Sequence, residues 1–232
     1  MASEATQYIG DLTLIKGVSA DTRHKLLNGS SFEIVRPDTT IVSEGYHLDH
    51  LHFVLDGVVE LSASTSESRT VISLLHAGDT FILSAVVNDA VALLSARSLG
   101  RVEMVRVPAG LFRRCLRRDP KLLHNVSVAL GGGYRNMVRY LRDHKLRTAD
   151  QRLAAYLVRL LKAHGGAPEV TLPLRKHVIA SFLGMKPESL SRAFAGLHAL
   201  GVSVDGDRIT ITDPEALERF ANIDTKLDGA DA

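Results

Sequence analysis

Glu188, Ser191 and Arg192 stand at positions i, i+3 and i+4 of the run ASFLGMKPESLSRAFAGL, residues 180–197. On a helix such residues share one face. Their chemistry is directional hydrogen bonding. A guanidinium forks onto N7 and O6 of guanine, a carboxylate accepts from the cytosine amine, and a hydroxyl does either. Lys186 and Ser189 add further donors, and Arg175 and Lys176 upstream are cations suited to phosphate. On the other side Leu183, Leu190, Phe194 and Leu197 recur at helical spacing. A plain surface helix has the same two-faced pattern, so the neighbouring elements must decide between the readings.

Residues 174–182, LRKHVIASF, carry Val178, Ile179 and Phe182 as a short apolar stripe behind a basic start. They read as a first helix that crosses the nucleic-acid backbone. Gly184 falls where two helices joined tightly need a positive φ. Downstream, GVSVDGDRITITD (201–213) alternates apolar and polar residues around Asp205 and Gly206, the pattern of a hairpin with a primed turn. Helix, turn, helix and wing in this order predict a DNA-binding unit. Upstream, Thr148 to His164 predicts one more helix, closed by the break Gly165-Gly166-Ala167-Pro168.

The chain has 232 residues, enough for one large or two modest domains. Trp is absent and aromatics make up 5%, which argues against a broad stacking surface for single strands. Net charge is only +2, but it is unevenly placed. Lys+Arg against Asp+Glu runs 8 to 13 over residues 1–112, 9 to 2 over 113–146 and 11 to 11 over 147–232. The basic middle block reads either as a solvated helix surface or as a segment whose end lies near phosphates. The single cysteine, Cys115, excludes an internal disulfide and reads as a small core residue. Residues 1–17 lack a basic start and a long apolar run, and no stretch approaches a membrane span, so a cytoplasmic protein without membrane attachment is expected. No paired carboxylates, nucleophile–base arrangement, metal-spaced cluster or phosphate-cradling loop suggests an enzyme.

Residues 10–30 read as short helical turns with a cap at Ser19 to Asp21. From Ser31 to about Val107, short alternating runs punctuated by Pro37, Gly45, Gly57 and Gly78 predict a compact β-sandwich or barrel. Within it, 83–95 (LSAVVNDAVALLS) reads as a short helix and strand beside an internal cavity. Helices then follow Pro108 and Asp119-Pro120, the second running to about Asp143. Along that second helix Leu123, Leu130, Met137 and Leu141 form a seam, with Val126 and Tyr134 in the intervals. The seam is long enough to pair with a second copy, although packing on its own β domain is the simpler account. Gly131-Gly132-Gly133 costs about 2–3 kcal/mol against alanine in a helix, predicting a kink, a weak point or a close approach.

In order along the chain, Ser43-Glu44-Gly45, FVLDG (53–57) with VVEL, LHAGD (75–79), IASFLGMKPESLSR (179–192) and the wing resemble the CRP/FNR superfamily of bacterial transcription regulators. The resemblance spans nearly the whole chain. It implies an α+β fold: a cupin-like β-roll sensor of the cyclic-nucleotide-binding type (1–118), a long dimerisation helix (119–146) and a C-terminal winged helix-turn-helix (147–232). It also implies a homodimer on palindromic double-stranded promoter DNA, with RNA polymerase as a further partner. The E-x-x-S-R pattern of Glu188, Ser191 and Arg192 is similar to the branch whose half-sites resemble TTGAT. These three are therefore expected at bases, and Arg175, Lys176, Lys186 and Ser189 at phosphates. Leu123, Val126, Leu130, Tyr134, Met137 and Leu141 are expected at the dimer interface.

The departures narrow the effector. Where the cyclic-nucleotide cassette has a ribose-binding carboxylate and a phosphate-binding arginine, this chain has Leu83-Ser84 and Ala90-Val91. An anionic phosphate there would lose its main charge-assisted bonds. The N-terminal cysteine cluster of oxygen sensors is also missing, which removes the iron–sulfur cluster. What remains resembles the nitrogen-oxide-responsive branch of the NnrR and DNR type, which implies nitric oxide as effector, often sensed through haem. The effector pocket is expected from Phe81, Leu83, Val86, Leu93 and Leu94. Haem is the cofactor that the resemblance brings, with its metal ligand unassigned: His47, His50, His52, His76 and His124 are equally readable as exposed polar groups. A regulator without effector, controlled by its abundance, and a cyclic-nucleotide-responsive one stand as alternatives.

Overall fold

A computed structural model describes residues 12–66, 69–224 and 227. The absence of a leader was read from residues 1–17, of which 1–11 lie outside the described residues. The chain divides into two compact units, Met1–Gly133 and Tyr134–Ala232.

The first unit begins with a 3-10 turn, Thr13–Ile15, and α1, Ala20–Gly29. Ser19 caps α1 by accepting from Thr22 N, as the cap residues predict. Eight strands follow in two antiparallel four-stranded sheets. One has the order β1 (Ser31–Val35), β8 (Val102–Pro108), β3 (His50–Asp56), β6 (Thr80–Phe81). The other has β2 (Thr40–Val42), β7 (Ser95–Ser98), β4 (Val59–Ser64), β5 (Arg69–Leu75). Strand alternation places Val35, Val54, Val102 and Met104 of the first sheet against Val42, Val59, Leu61 and Ala96 of the second. The odd-numbered residues of β3 and β8 point the other way: Leu51, Phe53, Val105 and Val107 pack on the helices. Those helices are α1, α2 (Leu83–Asn88), α3 (Ala109–Leu116) and the first third of α4 (Pro120–Leu146). Cys115 is buried in this second core, as expected, and burial pushes its thiol pKa up.

Asp119 starts α4. One carboxylate oxygen accepts from the backbone N–H groups of Lys121 and Leu122, and the other from Ser19 N and Oγ. Burial alone would raise its pKa, but these bonds hold it well below the usual carboxylate range. The helix runs three residues beyond the expected end near Asp143 and is unbroken through Gly131–Gly133. A Cβ on any of the three glycines would meet nothing within 4 Å in this chain. No close approach of the described residues therefore accounts for the triplet. The boundary between the two units nevertheless falls directly after the triplet.

Val126 is a correction. It is 2% exposed and belongs to the helical core of its own unit, which Leu130 also joins in part. The exposed seam is Leu123, Tyr134, Met137 and Leu141. The sequence offered Val126 because 3.5- and 3.6-residue spacings diverge little over so short a helix.

The second unit holds the rest of α4, α5 (Ala149–Ala163), β9 (Glu169–Thr171), α6 (Lys176–Phe182), α7 (Pro187–Leu197), β10 (Val202–Asp205), β11 (Arg208–Ile211) and α8 (Pro214–Phe220). α5 opens on a reciprocal capping box: Gln151 N donates to Thr148 Oγ1 and Thr148 N to Gln151 Oε1. The expected hairpin forms, and β9 joins it as a third strand in the order β10-β11-β9. β9 and α8 carried no sequence expectation. β9 has three residues, too few to show a period. Leu153, Leu157, Ile179, Leu190, Leu197, Ile209, Ile211 and Leu217 close one core. Among the described residues no helix is long and apolar enough to cross a membrane.

Candidate DNA-reading face and sensor core

α6 begins at Lys176, two residues later than the apolar stripe suggested, and buries Val178, Ile179 and Ala180. Leu183 is the C-cap of α6 rather than part of the next helix. The turn closes with Gly184 N donating to Ser181 O and Met185 N to Ala180 O. Gly184 has φ +64, and a Cβ there would stand 2.7 Å from His144 Nε2. The backbone therefore favours glycine, and a side chain there would have to displace the His144 ring.

α7 starts with Pro187 in its first turn, where the missing N–H costs nothing. Leu190, Ala193, Phe194 and Leu197 are buried, which fixes the helix's rotation. Glu188, Ser191 and Arg192 are consequently all exposed on the opposite side. Ser191 donates back to Pro187 O at 3.2 Å. Arg175, Lys176 and Lys186 are exposed at the helix starts. Lys176 Nζ lies 5.7 Å from the Phe194 ring centroid, so its stem is held against α7. Ser189 is half-buried and accepts from Arg192 Nη2 at 3.1 Å, which makes it a support for that guanidinium as well as a candidate phosphate contact.

In the first unit the five residues expected around the effector do not come together. Phe81 is buried between the sheets with Leu94 beside it, whereas Leu83 and Val86 face the helical core. Leu93 is 79% exposed, so its place in a pocket is corrected. An apolar run without a sharp period gave no means of assigning sides. The arginine that reaches α2, Arg113, donates to Val86 O and pairs with Asp89 at 2.9 Å.

A polar layer of the inner sheet face went unnoticed in the sequence. His52 is 6% exposed, stacks on Phe81 with centroids 4.8 Å apart, and lies beside His50. Burial, then the neighbouring His50 and Arg106, push its pKa down to about 3. His52 Nδ1 has no hydrogen-bond partner. Arg106 Nε stands 3.1 Å from Glu33 Oε2 but is misaligned, leaving both of those atoms without a hydrogen bond. The alternating pattern of β3 and β8 could have marked His52 and Arg106 as inward-facing.

A β-roll sensor followed by a long helix and a winged helix-turn-helix with an exposed E-x-x-S-R face defines a class of DNA-binding transcription regulators. Two family models match: the cyclic nucleotide-binding domain over residues 32–119 and the Crp-like helix-turn-helix domain over 151–220. A solved structure from Silicibacter pomeroyi DSS-3, provisionally assigned as a cAMP-binding regulatory protein, is 30% identical over 95% of this chain and all of that one, with a TM-score of 0.60. The nitrogen fixation regulation protein FixK of Bradyrhizobium diazoefficiens is 27% identical over 78% of each chain. The structure of FixK2 from Bradyrhizobium japonicum, 21% identical with a TM-score of 0.72 over 88% of this chain and 99% of that one, has the same fold. The chain belongs to the CRP/FNR family of transcription regulators.

Proposed function

We propose that this regulator is a cytoplasmic homodimer that reads a TTGAT-type palindrome in promoter DNA, engages RNA polymerase there, and responds to a small effector other than cyclic AMP, with nitric oxide as the candidate. The observation that carries the reading is the exposed Glu188–Ser191–Arg192 face of α7, held by a buried apolar side. Arg192 forks onto the guanine of TTG, and Glu188 accepts from the cytosine opposite. The exposed Leu123, Tyr134, Met137 and Leu141 supply the seam for a second copy, whose two-fold axis matches a palindrome.

The uncharged cassette supports an effector without a phosphate. Haem is the group that branch often uses, and among the described residues His52 is the one buried histidine of the sensor half. Phe81 is stacked on its ring, which leaves that face of the imidazole covered. His47, His76 and His124 are exposed. These placements weigh against haem as the group through which the effector acts. A cyclic nucleotide is the second reading, favoured by the match to the cyclic nucleotide-binding domain.

Anisotropy of a labelled duplex tests the proposal. A TTGAT palindrome should bind about a thousandfold or more tighter than a scrambled duplex at physiological salt. Nitric oxide added anaerobically should change that affinity while cyclic AMP leaves it alone. Equal affinity for both duplexes would remove the operator assignment.

A further inference from the structure

Arg152, in the first turn of α5, has no place in the DNA-reading face, yet its guanidinium joins three backbone carbonyls from two other helix ends. Nε donates to Leu183 O at 2.9 Å, and Nη2 reaches Gly184 O at 3.4 Å. Nη1 donates to Arg147 O at 3.0 Å, one residue past the end of α4. Leu183 and Gly184 are the turn of the helix-turn-helix. The last carbonyls of a helix have no partner within it and carry the negative end of its dipole. One planar cation therefore satisfies the ends of α4 and α6 together. Only a guanidinium has donors spread in a rigid fork for this, and a lysine ammonium cannot bridge the same set.

The neighbours tighten the joint. The His144 ring, near the end of α4, lies tilted against Tyr140 with centroids 4.0 Å apart, and its Nε2 fills the space beside Gly184 where a side chain would stand. Arg147 pairs with Asp143 and donates to Ala221 O and Asn222 O, while Arg159 reaches the other oxygen of Asp143 at 3.3 Å. Gln151 Nε2 donates to Phe220 O. The end of α4 is thus fixed to the reading turn on one side and to the end of α8 on the other.

We propose that Arg152 is a positioning residue for sequence reading: it sets the orientation of α7 from the end of the dimerisation helix and touches no DNA. The inference rests on α7 being the recognition helix, but not on the TTGAT sequence. The test therefore uses the full-length chain and a duplex selected by the parent chain from a random library. If selection returns no preferred sequence, the reading of α7 fails. The joint is then judged by hydrogen exchange at Gly184 and Met185, whose amides should exchange faster in Arg152→Met than in the parent. Unchanged exchange overturns it.

With a selected duplex, Arg152→Met should bind it about tenfold more weakly, within the range by which residues that touch no ligand modulate coupling. Its affinity for scrambled DNA and its salt slope should stay at parental values, because no phosphate contact is lost. Arg219→Met, which removes an exposed arginine whose pairing with Glu215 stays within α8, should keep the parental preference. A salt slope shallower by about one unit would make Arg152 a phosphate contact and overturn the proposal. So would equal losses on selected and scrambled DNA, or the same selective loss in Arg219→Met. If Arg152→Met does not fold, Arg152→Lys decides. It keeps the charge and the stem but not the three-way bridge, so it should show the selective loss, and parental discrimination in it overturns the assignment.

Discussion

Arg192 and Lys176 separate two ways in which a cation serves DNA binding. Arg192 stands on the exposed side of α7 with its guanidinium supported by Ser189. Arg192→Ala should cost about 1–3 kcal/mol per half-site on the preferred operator and relax discrimination at one base pair. Lys176→Ala should weaken matched and mismatched duplexes alike and make the salt slope shallower by about one unit. Anisotropy titrations at several salt concentrations measure both. An equal loss on both duplexes in Arg192→Ala would move that residue to the phosphate group of contacts. His52 gives a second test at this scale. Its folded-state pKa of about 3 lies below the unfolded value of 6.5, so folding favours the neutral ring. Stability is whole above pH 6.5 and falls as pH drops below it, by about 2 kcal/mol at pH 5. Urea unfolding of the sensor unit at pH 7.5, 6.5 and 5 should show this slope, and His52→Leu should flatten it. A parental slope in His52→Leu would place the titration on another group. Glu188, Ser191 and Arg192 were legible as one face because their spacing is local. The alternation of β3 marks His52 as inward-facing, but the depth of its burial was not legible, because β6 and β8, which pair with β3, come from distant sequence.

At the scale of elements, α4 has two environments along its length. Its first third buries Leu122 and Val126 against the sensor core, and beyond the glycine triplet its apolar residues are exposed. A dimer test should therefore spare the first third. Met137→Glu with Leu141→Glu changes only exposed positions, and should give monomers that no longer hold an operator while the sensor unit unfolds at its usual denaturant concentration. Sedimentation showing an unchanged dimer would locate the interface elsewhere. The capped helices, α1 from Ser19 and α5 from Thr148, were readable because their signals lie within four residues. The sides taken by residues 81–94 were not. Phe81 and Leu83 are two residues apart, but the left-handed Ile82 between them (φ +59) sends them into different cores. Alternation along a strand breaks at such a residue, and no periodicity in the sequence registers it.

Over the whole molecule, modest net charge conceals a sensor unit in which five arginines already face carboxylates. Arg69, Arg97, Arg101, Arg106 and Arg113 each face an acidic side chain: Glu60, Asp38, Glu103, Glu33 and Asp89. A cyclic phosphate needs a guanidinium whose charge is not balanced, in a site that excludes water. Taking Arg113 from Asp89 and Val86 O would also remove a bond that holds α2. The resemblance puts Leu83 and Ala90 at the positions where the cassette has its polar partners. Cyclic AMP should therefore give no saturable heat with the full chain at micromolar nucleotide, and operator affinity should be the same with and without it. The match to the cyclic nucleotide-binding domain makes this a demanding test, because the fold that would hold the nucleotide is present. Saturable binding with a Kd below about 10 µM, near −7 kcal/mol, would mean that one of these arginines leaves its carboxylate for the phosphate. Arg113→Met would then abolish the heat if Arg113 is that residue, and its effect on operator affinity would show whether the nucleotide acts through α2.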